Sequence, residues 1–133
     1  MLFRSQTFGG WAPSDIPGTV RVCRFYGDPV IGPNSHFYTG QDFECQGLID
    51  LDARTPPGVP AWHLEARPMS LVIPSGETCP VNLASVYRAF NGPAAGANGP
   101  NHRYTTDKAV YGEMLAKGWL PEGVHFCAPP RLN

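Results

Sequence analysis

The chain has 133 residues, and ten Lys and Arg against eleven Asp and Glu give it a formal net charge of −1. This length is typical of one ordinary domain, so we interpret residues 1–133 as a single domain. The balanced charge leaves no electrostatic footprint for nucleic acid, and no apolar run approaches the length that spans a bilayer. We therefore expect no nucleic-acid partner and no membrane insertion.

The amino terminus lacks the continuous apolar core and the small-residue cleavage site of a signal peptide. Four cysteines nevertheless indicate an oxidising compartment. We therefore expect a mature fragment or an excised domain of a secreted or periplasmic protein. Residues 1–18 contain Phe3, Phe8 and Trp11 before a Pro/Gly turn. We interpret this segment as a partial third copy of the unit described next, which would allow pseudo-threefold packing.

Two segments carry the same motif. The first has Arg24 in the run Val-Cys-Arg-Phe-Tyr-Gly and, after a Gly/Pro-rich loop, His36 in Asn-Ser-His-Phe-Tyr-Thr. The second has Arg88 in Val-Tyr-Arg-Ala-Phe-Asn and His102 in Pro-Asn-His-Arg-Tyr-Thr. A Trp-x-x-Glu run follows in both copies. Repeats of this length indicate a supersecondary unit used more than once, and we place repeat one at about 19–70 and repeat two at about 84–129.

Each unit is predicted to fold as strand, strand, helix, strand. The alternating run around the arginine is typical of a strand, and the loop after it is typical of a hairpin. His-x-Tyr-Thr is a second short strand, whose Thr is expected to cap a helix. The helix begins near Gly40 in repeat one. In repeat two it has Val110 and Met114 at i,i+4 spacing and ends at Lys117-Gly118. The predicted fold class is β-rich α+β, built from tandem strand-strand-helix-strand repeats with pseudo-symmetry.

Alignment of the two copies predicts which cysteines form disulfide bonds with each other. Cys23 falls opposite Tyr87, and Cys45 falls opposite Tyr111. The simplest explanation is that the two positions touch, with a covalent bond in one copy and two packed rings in the other. The predicted disulfides are Cys23–Cys45 and Cys79–Cys127.

A zinc site is the alternative interpretation of four cysteines. The sequence has no Cys-x-x-Cys pair, and its Cys-to-Cys spacings are long, so zinc is disfavoured. Asp50-Leu51-Asp52 lacks the rest of a calcium loop. We therefore expect no metal. In the chain-entropy model each disulfide contributes about 3–4 kcal/mol, a large share of the roughly 5–15 kcal/mol expected for one domain.

The repeated arginines, histidines and aromatic residues are the candidate ligand-binding residues. Arg24 and Arg88 lie among apolar residues, and a half-buried Arg needs a carboxylate or several carbonyls. Glu65 and Glu122 recur at matching places and are natural partners. We favour an internal Arg–Glu pair in each unit over a polar clamp for a ligand hydroxyl or carboxylate. The full candidate set is Arg24, Tyr26, His36, Tyr38, Arg88, His102, Tyr104 and Trp119.

His36 and His102 have side chains suited to acid–base work near neutral pH, but no nucleophile or general-base partner is repeated with them. We expect a structural role, in which the imidazole bonds a backbone carbonyl beside the helix. No phosphate-binding loop, Gly-x-Ser-x-Gly or His-Glu-x-x-His pattern occurs. The sequence therefore predicts no catalytic residues, no cofactor and no enzyme activity. A small hydrolase that uses one of these histidines is the least favoured alternative.

In combination these motifs resemble the bacterial repeat of unknown function DUF5648, over about 19–129. The resemblance rests on Val-Cys-Arg-Phe-Tyr-Gly, Val-Tyr-Arg-x-Phe-Asn, the two His-x-Tyr-Thr runs, Thr-Cys-Pro and Gly-Trp-x-x-Glu-Gly. Members of that family are typically C-terminal modules of exported bacterial proteins, often appended to hydrolases or peptidases. The resemblance therefore implies an extracytoplasmic location, an accessory or binding role and a β-trefoil-like arrangement. Repeat one departs from the pattern at 65–68, which weakens the prediction of its last strand.

We accordingly expect a non-catalytic binding module of an exported bacterial protein, which recognises carbohydrate or a cell-surface polymer. The duplicated aromatic unit and the lack of a catalytic motif are the reasons for this expectation. The alternative is a structural or protein-interaction domain that docks to a partner or to the enzyme it is fused to. An exposed apolar patch without a concave polar pocket would favour that alternative.

Overall fold

The computed structural model describes residues 2–5, 8–11, 18–28, 30, 32–92 and 101–130. Within these ranges the chain forms eight strands and two helices. They are β1 (Leu2–Ser5), β2 (Phe8–Trp11), β3 (Thr19–Asp28), β4 (Gly32–Thr39), α1 (Asp42–Arg54), β5 (Trp62–Val72), β6 (Ala84–Phe90), β7 (His102–Thr105), α2 (Lys108–Ala116) and β8 (Leu120–Ala128).

The eight strands belong to one open, antiparallel sheet. In the first unit β3 pairs with β4 on one side and with β5 on the other, and in the second unit β6 lies in the same way between β7 and β8. The units join where Val72 of β5 pairs with Cys127 of β8. The β1–β2 hairpin joins β5 through Trp11 and Ser70. The chain is therefore a β-rich α+β domain, and this strand order does not show the β-trefoil-like arrangement that the resemblance implied.

The predicted order of strand, strand, helix, strand is present in both halves, as β3-β4-α1-β5 and as β6-β7-α2-β8. The registers also match, since Arg24 pairs with Tyr38 and Arg88 pairs with Tyr104. The last strand of the first unit, which the sequence left uncertain, extends over eleven residues and includes Pro68. The two halves thus have the same element order and the same pairing around their arginines.

The ladders between the central and last strands are irregular next to the arginines. The β3–β5 register shifts between Arg24 and Phe25, where Glu65 has no Cα partner. The β6–β8 register shifts between Tyr87 and Ala89, and Glu122 of β8 has no Cα partner there. Glu122 is the residue that aligns with Glu65. A bulge leaves one residue unpaired and redirects its side chain. In both units, therefore, a glutamate lies at a bulge in the last strand, opposite the strand that carries the arginine.

The buried core lies between the units and under the first helix. One cluster combines residues of both units, and a second cluster packs β3, β4 and β5 against α1. The residues of the first cluster are Val22, Tyr38, Met69, Leu71, Val86, Tyr104, Phe126 and Ala128. The residues of the second are Cys23, Phe25, Phe37 and Cys45, with Leu48, Ile49, Trp62 and Leu64 partly buried around them.

The prediction that the motif threonine caps each helix was wrong. The N-cap of α2 is Asp107, whose carboxylate accepts a hydrogen bond from the N–H of Ala109 at 2.9 Å. Thr105 is the last residue of β7, and its hydroxyl accepts from the Asp107 N–H at 3.0 Å. Thr39 makes the same contact with the N–H of Gln41 at 3.1 Å. The threonine therefore shapes the strand-to-helix turn, and the helix begins two to three residues later.

The amino-terminal segment is described only in part. Residues 2–5 and 8–11 form the β1–β2 hairpin, and most of the remainder of 1–18 lies outside the described residues. A partial third unit therefore stays a prediction.

Candidate functional site

Both predicted disulfides are present, and the first has an aromatic counterpart in the other unit. Cys23 of β3 is bonded to Cys45 of α1. At the aligned positions Tyr87 and Tyr111 stack, with ring centroids 4.8 Å apart and planes 25° apart. The same strand-to-helix contact is therefore covalent in one unit and aromatic in the other, as the alignment predicts.

The second disulfide, Cys79–Cys127, ties the segment before β6 to β8. Two disulfides indicate an oxidising, extracytoplasmic compartment, since reducing cytosol keeps most thiols free. Neither helix in the described part of the chain is long and apolar enough to cross a membrane.

Arg88 lies at the centre of a polar cluster between the two units. Its side chain is only 6% exposed. Nε donates to Glu122 Oε1 at 2.7 Å, and Nη1 and Nη2 donate to the two carboxylate oxygens of Glu44 at 3.2 and 3.4 Å. Glu122 belongs to β8 of the same unit, as predicted, whereas Glu44 comes from α1 of the other unit. One buried guanidinium is thus matched by two carboxylates, and the second of them ties the units together.

The charged states of this cluster reinforce one another. Burial acts to raise the pKa of Glu44, but hydrogen bonds from Arg88 and Thr39 and the charge of Arg88 outweigh it and lower that pKa. Burial acts to lower the pKa of Arg88, while the neighbouring Tyr104, Glu44 and Glu122 raise it above its ordinary value. Arg88 and Glu44 therefore stay charged near neutral pH.

Two imidazoles border the cluster. His102 Nε2 lies 3.3 Å from Glu122 Oε1, and His125 Nε2 lies 3.0 Å from the Glu122 carbonyl oxygen. Burial, followed by the charge of Arg88, lowers the pKa of each histidine to about 4, so both rings are neutral near pH 7. His102 Nδ1 is buried and has no hydrogen-bond partner in the described part of the chain. The prediction that His102 bonds a backbone carbonyl was wrong. Its ring lies beside the Glu122 carboxylate, and the Glu122 carbonyl oxygen is contacted by His125 instead.

A shallow cavity of about 190 Å³ lies beside Arg88. The Phe37 ring centroid is 4.9 Å from Arg88 Cζ, 4.6 Å from the His102 ring and 5.9 Å from the Trp62 ring. The cavity therefore combines an aromatic wall with charged and hydrogen-bonding groups, and both units contribute to it. Its lining residues are Phe37, Glu44, Leu48, Trp62, Arg88, His102 and Glu122.

The first unit contains the equivalent Arg–Glu–His set in a more open form. Arg24 Nε lies 2.5 Å from Glu65 Oε1, and His36 Nε2 lies 3.6 Å from Glu65 Oε2. The three side chains are 28%, 34% and 44% exposed, respectively. Among the described residues Arg24 Nε has no partner in hydrogen-bond geometry, so its contact with Glu65 is an ion pair. The predicted Arg24–Glu65 pair is confirmed, and solvent reaches it.

The remaining candidates fall into different places. Tyr38 and Tyr104 are buried in the core between the units. Tyr26 is 38% exposed, and its ring centroid lies 5.3 Å from that of His63. Trp119 is half-buried but does not line the cavity beside Arg88, whereas its aligned residue Trp62 does.

Sequence reasoning missed Phe37, Glu44 and Leu48 as cavity residues, and its candidate set included Trp119 rather than the aligned Trp62. Glu44 aligns with Val110 in the second unit, so the repeat gave no signal for it. The sequence did contain one indication for Glu44, which lies directly before the bonded Cys45. The disulfide holds that turn of α1 against the sheet.

A wider cavity of about 470 Å³ lies over the first disulfide. Arg67 Nη2 is 4.0 Å from Cys45 Sγ there. The charged side chains that line this cavity are Arg21, Arg67 and Asp42. Its lining residues are Val20, Arg21, Cys23, Asp42, Cys45, Gln46 and Arg67. Within the described ranges no group of three or more His, Cys, Asp or Glu residues is placed to hold a metal ion.

Fold and site together define a small disulfide-bonded α+β domain, whose charged cavity is shared by two units of the same element order. The sequence model of DUF5648, a domain of unknown function, matches residues 60–129, which is just over half of the chain. The chain therefore belongs to that family. The match covers β5 and the whole second unit, and repeat one up to residue 59 lies outside it. No curated protein and no solved structure matches the chain.

Proposed function

We propose that the chain is a non-catalytic binding module of an exported bacterial protein, and that the cavity beside Arg88 holds one sugar ring of a carbohydrate or cell-surface polymer. The observation that carries this proposal is the placement of Trp62 and Phe37 next to Glu44 and Glu122 in one cavity. A sugar presents an apolar face that stacks on aromatic rings. Its hydroxyls donate to carboxylates, which are pure acceptors.

The size and charge of the cavity support a single, uncharged ring. About 190 Å³ is below the roughly 300–1,000 Å³ of pockets that enclose drug-sized ligands. Two carboxylates face one guanidinium there, so the cavity disfavours an anionic group.

The state of the carboxylates supports binding rather than hydrolysis. Glycoside hydrolysis needs one carboxylic acid with a raised pKa as general acid. The pKa of Glu44 is lowered instead, and both Glu44 and Glu122 bond Arg88.

We also propose that the two units are copies of one repeat related by a pseudo-twofold axis. Two residues at equivalent positions touch each other when they lie near such an axis. Tyr38 contacts Tyr104, and Ser35 Oγ bonds Asn101 Oδ1, and both pairs are aligned in the repeat. For the location we propose secretion or the periplasm, which the disulfides support.

The test is retention on a glycan array, combined with pull-down on insoluble polysaccharides. We expect the native chain to be retained by at least one saccharide, and Trp62→Ala to lose about tenfold or more in affinity, equal to roughly 1.4 kcal/mol. Phe43→Ala is the matched control, because Phe43 is 77% exposed on α1 and does not line the cavity. Circular dichroism shows that each variant is folded. Retention no greater than on an inert matrix for every saccharide contradicts the proposal.

A protein-interaction role is the second candidate, and an apolar stripe on α1 favours it. Phe43 and Leu51 are 77% and 52% exposed. Gly47 lies between them at i,i+4 spacing, and a Cβ at Gly47 would meet open space. If this stripe docks to the enzyme to which the module is fused, the double variant Phe43→Ser/Leu51→Ser lowers the affinity between the two purified domains. Trp62→Ala does not lower that affinity. The reverse pattern contradicts this candidate.

A further inference from the structure

We propose that Arg24 is a second ligand site, which binds the carboxylate of an acidic sugar in the place that Glu44 fills beside Arg88. This inference rests on the proposed function for its ligand class, a saccharide, and goes beyond it in the site and the charge of the ligand.

The two arginines occupy equivalent positions but have unequal partners. Arg88 holds Glu122 of its own unit and, through Nη1 and Nη2, the carboxylate of Glu44 from the other unit's helix. Among the described residues Arg24 contacts one carboxylate, that of Glu65. The guanidinium of the first unit therefore lacks the second carboxylate.

The vacancy follows from one residue difference between the helices. The alignment that places Cys45 opposite Tyr111 places Glu44 opposite Val110. The contacts Cys23–Cys45 and Tyr87–Tyr111 show that the two helices lie on their units in the same way. Under the proposed pseudo-twofold relation, Val110 takes the place at which α2 would otherwise supply an acid to Arg24.

A ligand is able to reach this guanidinium. The side chain of Arg24 is 28% exposed, against 6% for Arg88. Tyr26 lies two residues further on the same face of β3 and is 38% exposed. Across the ladder His36 faces Tyr26 and is 44% exposed. An exposed ring on the strand face that also carries a solvent-accessible guanidinium suits a sugar that stacks on Tyr26 and directs its carboxylate to Arg24.

The chemistry favours a carboxylate, since the planar guanidinium binds one through two parallel N–H bonds. Glu44 on Arg88 shows this geometry inside the protein, at 3.2 and 3.4 Å. Arg24 and Glu65 carry opposite charges, so a bound uronate reproduces the two-to-one ratio of carboxylate to guanidinium that is present at Arg88.

The experiment is isothermal titration of the native chain with trigalacturonate and with its uncharged methyl ester. We expect the acid to bind about tenfold or more tightly than the ester, with a preference that weakens in high salt. Arg24→Gln abolishes the preference for the acid over the ester. Val110→Glu abolishes it as well, because the new carboxylate fills the vacancy, whereas the control Val110→Gln retains it.

The outcomes separate the two proposals. Equal affinity for acid and ester, or a preference that survives Arg24→Gln, overturns the Arg24 site and leaves the cavity proposal intact. Binding of the acid alone, insensitive to Trp62→Ala and lost in Arg24→Gln, supports the Arg24 site and counts against the cavity. Binding of neither sugar overturns the Arg24 site as stated, and the glycan array then decides on the cavity.

Discussion

The phenolic hydroxyl of Tyr104 bridges the backbone of Tyr38. It accepts from the Tyr38 N–H at 2.8 Å and donates to the Tyr38 carbonyl oxygen at 2.7 Å. Among the described strands β4 pairs with β3 alone, so this hydroxyl supplies the partners that a further strand would provide. Burial raises the pKa of Tyr104, which keeps the donating proton in place. One side chain of the second unit thus completes the edge of the first.

Replacing Tyr104 with Phe removes both of these hydrogen bonds from the buried backbone of Tyr38. We expect a loss of about 1–3 kcal/mol in the free energy of unfolding, measured by urea denaturation with the disulfides intact. Amide hydrogen exchange at Tyr38 should accelerate at the same time. Tyr87→Phe is the control, since it keeps the ring stack on Tyr111. An unchanged exchange rate at Tyr38 would show that the bridge does not hold this edge.

The two aligned arginines should differ in their effect on stability. Arg88→Met leaves the carboxylates of Glu44 and Glu122 without their guanidinium, and removal of one partner from a buried ion pair costs about 3–5 kcal/mol. Arg24→Met breaks a pair that solvent reaches, which is worth at most about 1 kcal/mol. Urea unfolding of both variants measures the difference. Equal costs would mean that the burial of Arg88 does not govern its contribution.

Stability should fall in mild acid because of the buried histidines. The pKa of His102 and of His125 is about 4 in the folded chain, below the ordinary 6.5. As the pH falls from about 6.5 to 4, the unfolded chain takes up protons that the folded chain does not, so the stabilisation is complete above that window and lost within it. The loss is on the order of 3 kcal/mol for one imidazole.

The measurement is the urea midpoint at several pH values between 4 and 7.5. His102→Gln should flatten this dependence, because it removes one of the two histidines whose pKa is lowered. A native chain that is equally stable across the window contradicts the burial of neutral imidazoles.

A third disulfide should form if the two units are equivalent. Tyr87→Cys with Tyr111→Cys places cysteines at the positions that are bonded in the first unit. We expect spontaneous oxidation, with no free thiol in the unreduced, denatured variant, and a gain of up to about 3 kcal/mol. Thiol titration and peptide mapping check the bond, and two persistent free thiols would contradict the equivalence.

The alignment of the two sequence segments explains which parts of the structure could be predicted. Comparison of the copies turned the Cys/Tyr exchange into the bond Cys23–Cys45 and the shared glutamates into partners of Arg24 and Arg88. Each of these contacts lies within one unit, so the two aligned segments give two independent indications of it.

Contacts between the units could not be predicted in this way. Glu44 of the first unit contacts Arg88 of the second unit, whereas the aligned residue of α2 is Val110, so the alignment does not indicate this contact. Trp62 and Trp119 are equivalent in the sequence, yet the cavity beside Arg88 uses Trp62. Tertiary packing decides which of two aligned residues becomes part of a site, and local sequence patterns carry no information about that packing.

The most direct test of saccharide binding between the units is the indole N–H resonance of Trp62 during titration with a saccharide retained on the array. The proposal predicts a saturable shift at Trp62, with Trp11 in β2 unaffected. A saccharide that saturates the chain while the Trp62 resonance stays in place would contradict binding in the cavity beside Arg88.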